Sequence, residues 1–262
     1  MLILLPPSEG KSTPAAGEPA DPAALWLPKL ATARKRVLSK LVALSKRTSA
    51  RAVAESLGTL GLRAGQRGEL DRNAGLLTAP AAPAAQVYSG VLYEALDHAA
   101  LPAEARGWVA ERAVVFSGLW GVVRLTDRIP AYRCSAGVVL PGIGGLTPYW
   151  KSALTRSMPD DGPVLDLRSG AYAAMWGPPA QRSVALRVLH ERVVDGELRR
   201  SVVSHFNKAT KGRMVRALAV AGVSAADVDE LLSALRDLKW TVEERPVAAG
   251  RPRQADVIVR EL

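Results

Sequence analysis

Two separated segments of the sequence place arginines and lysines at short intervals behind apolar, strand-like runs. The segments span residues 117–133 and 204–214. Their cations are Arg124, Arg128 and Arg133 in the first segment and Lys208, Lys211 and Arg213 in the second. Guanidinium and ammonium groups are suited to binding phosphate and carboxylate. If the fold brings the two segments together, the sequence predicts an anion-binding surface.

The first segment begins with small residues that suit a tight turn after a buried strand. Ser117 and Gly118 provide a permissive backbone there and are predicted to line a cleft. Asp127 leaves an alternative open, because it could pair with Arg124 or Arg128 and simply hold the turn. The arginines of this segment are therefore either anion ligands or structural cations.

The second segment is predicted to open a helix, with His205, Asn207 and Lys208 in its first turns. Unpaired backbone N–H groups and the helix dipole favour an anion at such a position. His205 could move a proton, and Lys208 could act as a nucleophile or as a charge clamp. A lone histidine more often has a structural role, so these two residues are candidates and no catalytic residue is assigned.

A third candidate anion site follows the first predicted strand, residues 2–5. Ser8 and Lys11 lie in the small-residue loop behind this strand, and the N–H groups of such a loop can hold a phosphate. The spacing is not that of a P-loop, because the Gly-x4-Gly-Lys-Ser pattern is absent. An ordinary surface lysine is the alternative.

The formal net charge of +10 is concentrated in three parts of the chain. Residues 29–67 carry a surplus of nine positive charges, residues 105–156 a surplus of five, and residues 182–216 a surplus of six, whereas the rest of the chain is negative by ten. Such segregation favours a directional positive field, and polyanions are the natural partners. The alternative is that an arginine-rich composition only raises solubility.

One of these basic parts has a helical pattern. Residues 33–57 are predicted to form a helix with Arg36, Lys40, Arg47 and Arg51 on the side opposite its apolar face. These four cations form either a solvated helix face or a stripe that follows a phosphate backbone.

The composition also argues against several classes of protein. A single cysteine, Cys134, excludes an internal disulfide and a multi-cysteine metal site, and the three histidines lack metal-ligand spacing, so we expect no metal and no cofactor. The apolar run at the N-terminus is too short for a signal peptide, and nothing approaches the roughly 20 apolar residues of a membrane span. The sequence therefore predicts a cytoplasmic protein with no membrane partner.

Strand and helix patterns alternate along the chain without a repeat or a clear linker. Predicted strands cover residues 2–5, 113–116, 163–167, 184–194, 198–206, 240–244 and 255–259, and predicted helices cover 33–57, 84–98, 147–158, 171–175, 208–220 and 224–235. We expect a mixed α/β fold of the α+β type. It would form a single domain over residues 1–262, with a mixed sheet, surrounding helices and a basic cleft.

Three stretches together resemble the YaaA family of peroxide-stress proteins. The first keeps Ser117, Gly118, Leu119, Gly121, Arg124, Asp127, Tyr132 and Arg133; the second keeps Lys208, Lys211, Gly212 and Met214; the third is the opening strand with Ser8 and Lys11. Tyr88-Ser89-Gly90 also fits the family's pattern, either as cleft lining or as packing. The chain departs from the pattern at Leu125-Thr126, at Ala131 and at Thr210.

The resemblance implies a DNA-binding protein of the oxidative stress response. Members of the family are reported to bind duplex DNA through a helix-hairpin-helix, and Pro141–Gly145 is similar to the hairpin of that motif. A helix is predicted after it, at residues 147–158, but residues 136–140 in front of it have an extended pattern. A plain glycine turn is therefore the alternative.

Two functional hypotheses follow from these residues. The first is double-stranded DNA binding without strong sequence preference, in a basic cleft, as protection against peroxide damage. The second is an enzyme that acts on a phosphorylated or nucleobase-containing small molecule in the same cleft. An enclosed pocket would favour the enzyme, whereas an open groove wide enough for a duplex would favour DNA.

Overall fold

The computed structural model describes residues 1–194, 196–248 and 250–260, and for Val194, Ser204 and His205 the backbone alone. Its strands are β1 (Leu2–Leu5), β2 (Ala82–Pro83), β3 (Ala113–Ser117), β4 (Gly121–Arg124), β5 (Arg128–Ile129), β6 (Val139–Leu140), β7 (Gly144–Gly145), β8 (Val164–Asp166), β9 (Ser183–Val194), β10 (Glu197–Ser201), β11 (Thr241–Arg245) and β12 (Arg253–Val259). Its helices are α1 (Ala31–Ser45), α2 (Ala50–Leu60), α3 (Gly68–Ala74), α4 (Ala84–Val87), α5 (Val91–Leu96), α6 (Ala103–Arg112), α7 (Leu146–Thr155), α8 (Gly170–Ala173), α9 (Ser204–Val220) and α10 (Val228–Asp237). The chain therefore has the mixed α/β fold that its sequence predicts.

The main sheet has the strand order β11-β12-β9-β8-β1-β3-β4, and β10 pairs with β9. The five central strands, β12, β9, β8, β1 and β3, run parallel, whereas β4, β10 and β11 run antiparallel to their neighbours. All four residues of β1 are buried, as is typical of a central strand in a parallel sheet. Most apolar side chains of the sheet and the helices join one contiguous cluster.

The position of β1 in this sheet predicts where a ligand binds. The chain leaves β1 towards β3 on one side, and it leaves β8, the neighbour of β1 on the other side, towards β9. Connections that diverge in this way leave a crevice at the carboxyl ends of the two strands, and ligands of open α/β sheets bind in such crevices. The carboxyl ends of β1 and β8 are therefore the first place to look for a site.

Three helix and strand boundaries differ from the sequence prediction. The helix predicted over 33–57 is divided into α1 and α2, because Ser49 caps a new helix by accepting a hydrogen bond from the N–H of Ala52 at 3.3 Å. The helix predicted over 84–98 is divided into α4 and α5 at Gly90, whose φ is 89°. The strand predicted over 198–206 ends at Ser201, since α9 already begins at Ser204.

The C-terminal helix also begins later than its sequence predicts. The sequence suggests a capping box that opens at Ser224. In the structure Asp227 is the N-cap residue, and its Oδ1 accepts a hydrogen bond from the N–H of Glu230 at 2.9 Å. Between the strands predicted over 184–194 and 198–206, Asp195-Gly196 is typical of a hairpin turn. In the structure β9 and β10 pair as a hairpin, with Gly196 at a φ of 80°, while Asp195 lies outside the described residues.

Candidate functional site

A cavity of about 610 Å³ lies at the carboxyl ends of β1 and β8. It is formed by the loop after β1, the residues after β8, the start of α5, the segment 133–135 and the first turns of α9. The sequence-predicted candidates that line it are Ser8, Lys11, Arg133, Asn207, Lys208 and Lys211. Stretches that are up to 200 residues apart in sequence therefore contribute cations to one cavity.

The loop after β1 is held by contacts with the segment between α4 and α5. The Ser8 hydroxyl donates to the carbonyl of Gly10 at 2.6 Å and accepts from the N–H of Ser89 at 3.1 Å. The Tyr93 hydroxyl donates to the carbonyl of Pro6 at 2.7 Å. Ser8 therefore fixes the shape of the loop as well as lining the cavity.

Lys11 lies at the base of this loop, against two aromatic rings. Its Nζ is 4.3 Å from the ring centre of Tyr132 and 5.5 Å from that of Tyr88, and it donates to the carbonyl of Ser8 at 2.8 Å. Burial lowers the pKa of Lys11 to about 7, and the nearby charge of Arg133 contributes to the shift. A lysine with this pKa is partly deprotonated near neutral pH.

Tyr88 and Ser117, which the sequence places in the cleft lining, lie behind Lys11 instead. The Tyr132 hydroxyl is 2.9 Å from the Tyr88 hydroxyl and 2.6 Å from the Ser117 hydroxyl, and the Ser117 hydroxyl accepts from the N–H of Trp120 at 3.0 Å. All of these groups are buried. They form a rigid support that fixes the ring of Tyr132 under the lysine.

Gly118 is also buried behind the cavity, at a close approach of two backbone segments. A Cβ at this position would lie 2.6 Å from the carbonyl oxygens of Cys134 and Ser135. The absence of a side chain therefore allows the segment 133–135 to reach the cavity wall.

Arg133 is positioned by a side chain that sequence reasoning missed. The Asn73 amide accepts from the N–H of Arg133 at 2.9 Å and donates to its carbonyl at 2.7 Å. The guanidinium lies 3.4 Å from both the carbonyl and the carboxylate of Glu9. Because the Glu9 side chain is 86% exposed, this is a loose ion pair that an incoming anion can replace.

Helix α9 contributes Asn207, Lys208 and Lys211 from its first two turns. Lys208 is exposed, whereas Lys211 is partly buried and donates to the carbonyl of Leu167 at 2.9 Å. Burial lowers the pKa of Lys211, and Asp166 opposes the shift. The Asn207 side-chain oxygen is buried and has no hydrogen-bond partner within the described part of the chain, which leaves an unsatisfied acceptor on a residue that lines the cavity.

His205, the candidate proton carrier, is in the first turn of α9, but its side chain lies outside the described residues. A catalytic role for it stays a prediction.

The structure does not bring Arg124, Arg128 and Arg213 into the cavity. Arg124 is the last residue of β4, which runs antiparallel to β3. It therefore pairs with Val114 near the start of β3, at the edge of the sheet opposite the cavity. Its guanidinium lies 5.1 Å from the ring of Trp26. Arg128 donates to the carbonyl of Ala81 at 2.6 Å, and Arg213 is exposed on α9.

Asp127 holds the turn after β4, although not in the way that its sequence suggests. Its carboxylate accepts from the backbone N–H groups of Arg124, at 2.9 Å, and Trp26, at 3.1 Å. It therefore binds backbone groups and not the guanidinium of either neighbouring arginine.

Cys134 lines the cavity, and its burial favours the protonated thiol. The residue is buried, and burial raises its pKa to about 12, against the opposing influence of Lys11. Since the thiolate is the reactive form of cysteine towards peroxide, the protonated thiol is a poor sensor.

Other lining residues escaped sequence reasoning because they carry little charge. Tyr93 and Tyr172 provide aromatic surface, and Ser135 and Ser169 provide hydroxyl groups. Burial raises the pKa of Tyr172 to about 12. Ser169 follows a predicted strand end closely, so the rule that ligands bind at carboxyl ends would have pointed to it.

The glycine loop Pro141–Gly145 lies in a β-hairpin. Residues 141–143 connect β6 to β7, the last two glycines of the loop form β7, and α7 follows directly. The helix that a helix-hairpin-helix requires in front of the loop is replaced by β6. Arg36 of α1 donates to the carbonyl of Gly142 at 3.0 Å, and Lys40 lies beside the same glycine.

Two negative findings apply to the described residues. No group of three or more His, Cys, Asp or Glu side chains among them could hold a metal ion. None of the helices that they form combines the length and apolar character needed to cross a bilayer.

The fold and the cavity define a mixed α/β protein with a cation-lined cavity at the carboxyl edge of its parallel strands. The model of a family described as peroxide stress protein YaaA matches residues 1–245. A UPF0246 protein of Streptomyces coelicolor is 50% identical over the full length of both chains. A UPF0246 protein of Corynebacterium glutamicum is 40% identical over 94% of this chain and 96% of its own, and an uncharacterized protein of Campylobacter jejuni is 27% identical over 81% and 82%. The chain belongs to the YaaA family of peroxide stress proteins.

Proposed function

We propose that this peroxide stress protein binds a phosphate-bearing small molecule in the cavity at the end of β1. The observation that carries the proposal is the cation content of the cavity. Its described lining includes Lys11, Arg133, Lys208 and Lys211, against the carboxylate of Glu9 alone. Even with Lys11 only partly protonated near pH 7, the charges of Arg133, Lys208 and Lys211 exceed that of one loosely held carboxylate and leave a surplus of positive charge for an anion.

The size and the remaining lining suit a small organic molecule. The volume of about 610 Å³ falls within the range of small-molecule sites, roughly 300–1,000 Å³. Leu92, Tyr93 and Tyr172 add apolar and aromatic surface beside the cations. A phosphorylated compound with a flat organic part, such as a nucleotide, matches both kinds of lining. If the protein is an enzyme that acts on such a molecule, the reaction would take place in this cavity.

Isothermal titration calorimetry with inorganic phosphate and with nucleoside monophosphates tests this proposal. Lys208→Met and Lys211→Met are each expected to weaken binding by about tenfold, because a hydrogen bond to a charged group contributes roughly 1.5–3 kcal/mol. The matched control is Lys40→Met, which removes the same charge from the exposed face of α1 and should leave binding unchanged. Equal losses in all three variants, or no binding by the unaltered protein, would contradict the proposal.

Duplex DNA is the second candidate ligand, and a different surface favours it. Arg36 and Lys40 are exposed on α1 and lie beside Gly142 in the glycine loop. Cations next to an open glycine backbone can contact phosphates without reading the base sequence. This surface is separate from the cavity, since neither α1 nor the glycine loop lines it. The protein would then protect DNA through this face during peroxide stress.

Fluorescence anisotropy with a labelled duplex, at about 50 mM and 200 mM salt, tests the second candidate. Affinity should fall steeply with salt because bound cations release counterions. Arg36→Ala with Lys40→Ala should weaken binding by a similar factor for unrelated sequences. The pair Lys208→Met with Lys211→Met removes the same number of charges from the cavity and should leave DNA binding intact. Binding that does not depend on salt, or no binding at the lower salt, rules this candidate out.

A further inference from the structure

Lys11 differs from the other cations of the cavity in what surrounds its ammonium group. Its Nζ donates to the backbone carbonyls of Ser8, at 2.8 Å, and Glu9, at 3.5 Å, and among the described residues no carboxylate forms an ion pair with it. Arg133, which lines the same cavity, places a second positive charge nearby. A lysine that is enclosed, next to a like charge and without a carboxylate partner loses its proton readily.

The charged and titratable groups around Lys11 act in both directions. They come from the loop after β1, from α3, from the segment between α4 and α5, and from the segment 132–134. The groups are Glu9, Glu69, Arg72, Tyr88, Tyr132, Arg133 and Cys134. Burial and the arginines disfavour the ammonium form, whereas Glu69 and the two rings favour it. The balance leaves the pKa of Lys11 at about 7, compared with about 10.4 for an exposed lysine.

A neutral amine in a cation-lined cavity has a defined chemical use. Its lone pair attacks a carbonyl carbon, while Lys208 and Lys211 supply charge for a phosphate or carboxylate on the same molecule. We propose that Lys11 is the reactive amine of this protein and forms an imine with an anionic aldehyde or ketone bound in the cavity. The inference rests on the proposed anion-binding function and names the substrate class for it.

The step balances without a further reactant. The Nζ of Lys11 bonds to the carbonyl carbon, and the carbonyl π bond breaks to give a carbinolamine. The two hydrogens of the amine then leave with the former carbonyl oxygen as water, and a carbon–nitrogen double bond remains. No oxidant, reductant or metal takes part. The imine links the substrate covalently to the protein and withdraws electrons from it. Carbon–carbon and carbon–hydrogen bonds next to the imine therefore become easier to break.

Pyridoxal 5′-phosphate is a suitable probe, because it combines an aldehyde with a phosphate. The protein is treated with the probe at low concentration and then with borohydride, whose hydride reduces the imine to a stable amine, and peptide mass spectrometry locates the modified lysines. We expect Lys11 to react at least about tenfold faster than the exposed Lys40, because its free-amine fraction near pH 7.5 is far larger. The rate at Lys11 should rise with pH through about 7 and then level off.

Two controls distinguish a specific reaction of Lys11 from general modification of lysines. Lys11→Arg keeps a cation at the position and removes the nucleophile, so the fast modification should disappear. Pyridoxal, which has the aldehyde and lacks the phosphate, should react at Lys11 about tenfold more slowly than its phosphate ester. Modification spread evenly over exposed lysines, or fast modification that persists in Lys11→Arg, overturns the inference.

Calorimetry with inorganic phosphate separates this inference from the proposed function. Phosphate binding without fast modification of Lys11 overturns the imine and leaves the anion site. Fast modification of Lys11 by pyridoxal and by its phosphate ester alike, without phosphate binding, supports the reactive amine and overturns the anion site. Phosphate that slows the modification of Lys11 in proportion to its occupancy supports both.

Discussion

Replacing Gly212 by alanine is expected to destabilise the protein by about 3 kcal/mol or more. A Cβ at this position would overlap the carbonyl oxygen of Leu92 and would lie 2.9 Å from the Cβ of Ala95 and from the backbone nitrogen of Leu96. Two of these three atoms belong to the backbone of α5, so no side-chain rotation relieves the overlap. The two helices would have to move apart, which opens the core between them.

Equilibrium urea denaturation measures this effect as a lower midpoint with an unchanged slope. Gly58→Ala is the matched control, since Gly58 also lies within a helix, α2, and a Cβ there meets nothing within 4 Å. It should stabilise the protein by up to about 1 kcal/mol, through the higher helix propensity of alanine. If Gly212→Ala were as stable as Gly58→Ala, the close packing of α5 and α9 would be wrong.

The same substitution should also damage the cavity. Helix α9 supplies Asn207, Lys208 and Lys211, and α5 supplies the apolar wall that starts at Val91. A separation of the helices moves these groups relative to one another. The fraction of Gly212→Ala that remains folded should therefore bind phosphate less tightly than the unaltered protein, under conditions where Gly58→Ala binds it equally well.

The convergence of Lys11, Lys208 and Lys211 was predictable from the sequence because each follows a recognisable strand or helix signal. Lys11 follows a short apolar run that ends in two prolines, and the lysines of α9 follow the hairpin of β9 and β10. Parallel strands place their carboxyl ends at one edge of a sheet, which predicts the position of the loop after β1. Helix α9 begins near the same edge for a different reason, because the antiparallel β10 runs back along β9 only as far as Ser201, opposite His190. The sequence could not reveal which strands neighbour β1, and this order decides which loops form the cavity.

Arg124 shows why the remaining candidates were misplaced. It lies in the same segment as Arg133 and carries the same group, so the sequence gives both the same weight. The turn at Ser117 and Gly118 reverses the chain, and β4 then runs back along β3 to the other edge of the sheet. One reversal of direction therefore separates two arginines that are only nine positions apart.

Arg34 is the clearest example of a residue whose role the sequence conceals. It stands in the run Arg34-Lys35-Arg36, where all three residues look like solvated cations. Arg34 is completely buried, and its guanidinium donates to backbone carbonyls, among them Trp26 at 2.5 Å and Val122 at 2.9 Å. It connects the segment before α1 to β4, and burial lowers its pKa to about 10. Only the packed structure distinguishes it from its neighbours.

Replacing Lys11 by methionine is expected to raise the stability of the protein, and by more at low pH than at high pH. The pKa of Lys11 is about 7 in the folded protein and 10.5 in its ordinary state. Between these values the unfolded chain binds a proton that the folded protein does not, so the unaltered protein gains stability as pH rises from about 7 to 10.5. Methionine does not titrate, and its side chain fits between aromatic rings.

The stability gain of Lys11→Met should therefore be largest at and below pH 7, on the order of a few kcal/mol, and should fade towards pH 10.5. Thermal unfolding at pH 6.5 and pH 9.5 measures it, with Lys40→Met as the exposed control that should show no comparable pH-dependent gain. A variant that is less stable than the unaltered protein at pH 6.5, or a gain that is equal at both pH values, would show that the folded protein does not lower the pKa of Lys11. A gain that costs phosphate binding or imine formation would mean that the protein gives up stability to keep a reactive amine at this position, as functional sites commonly do.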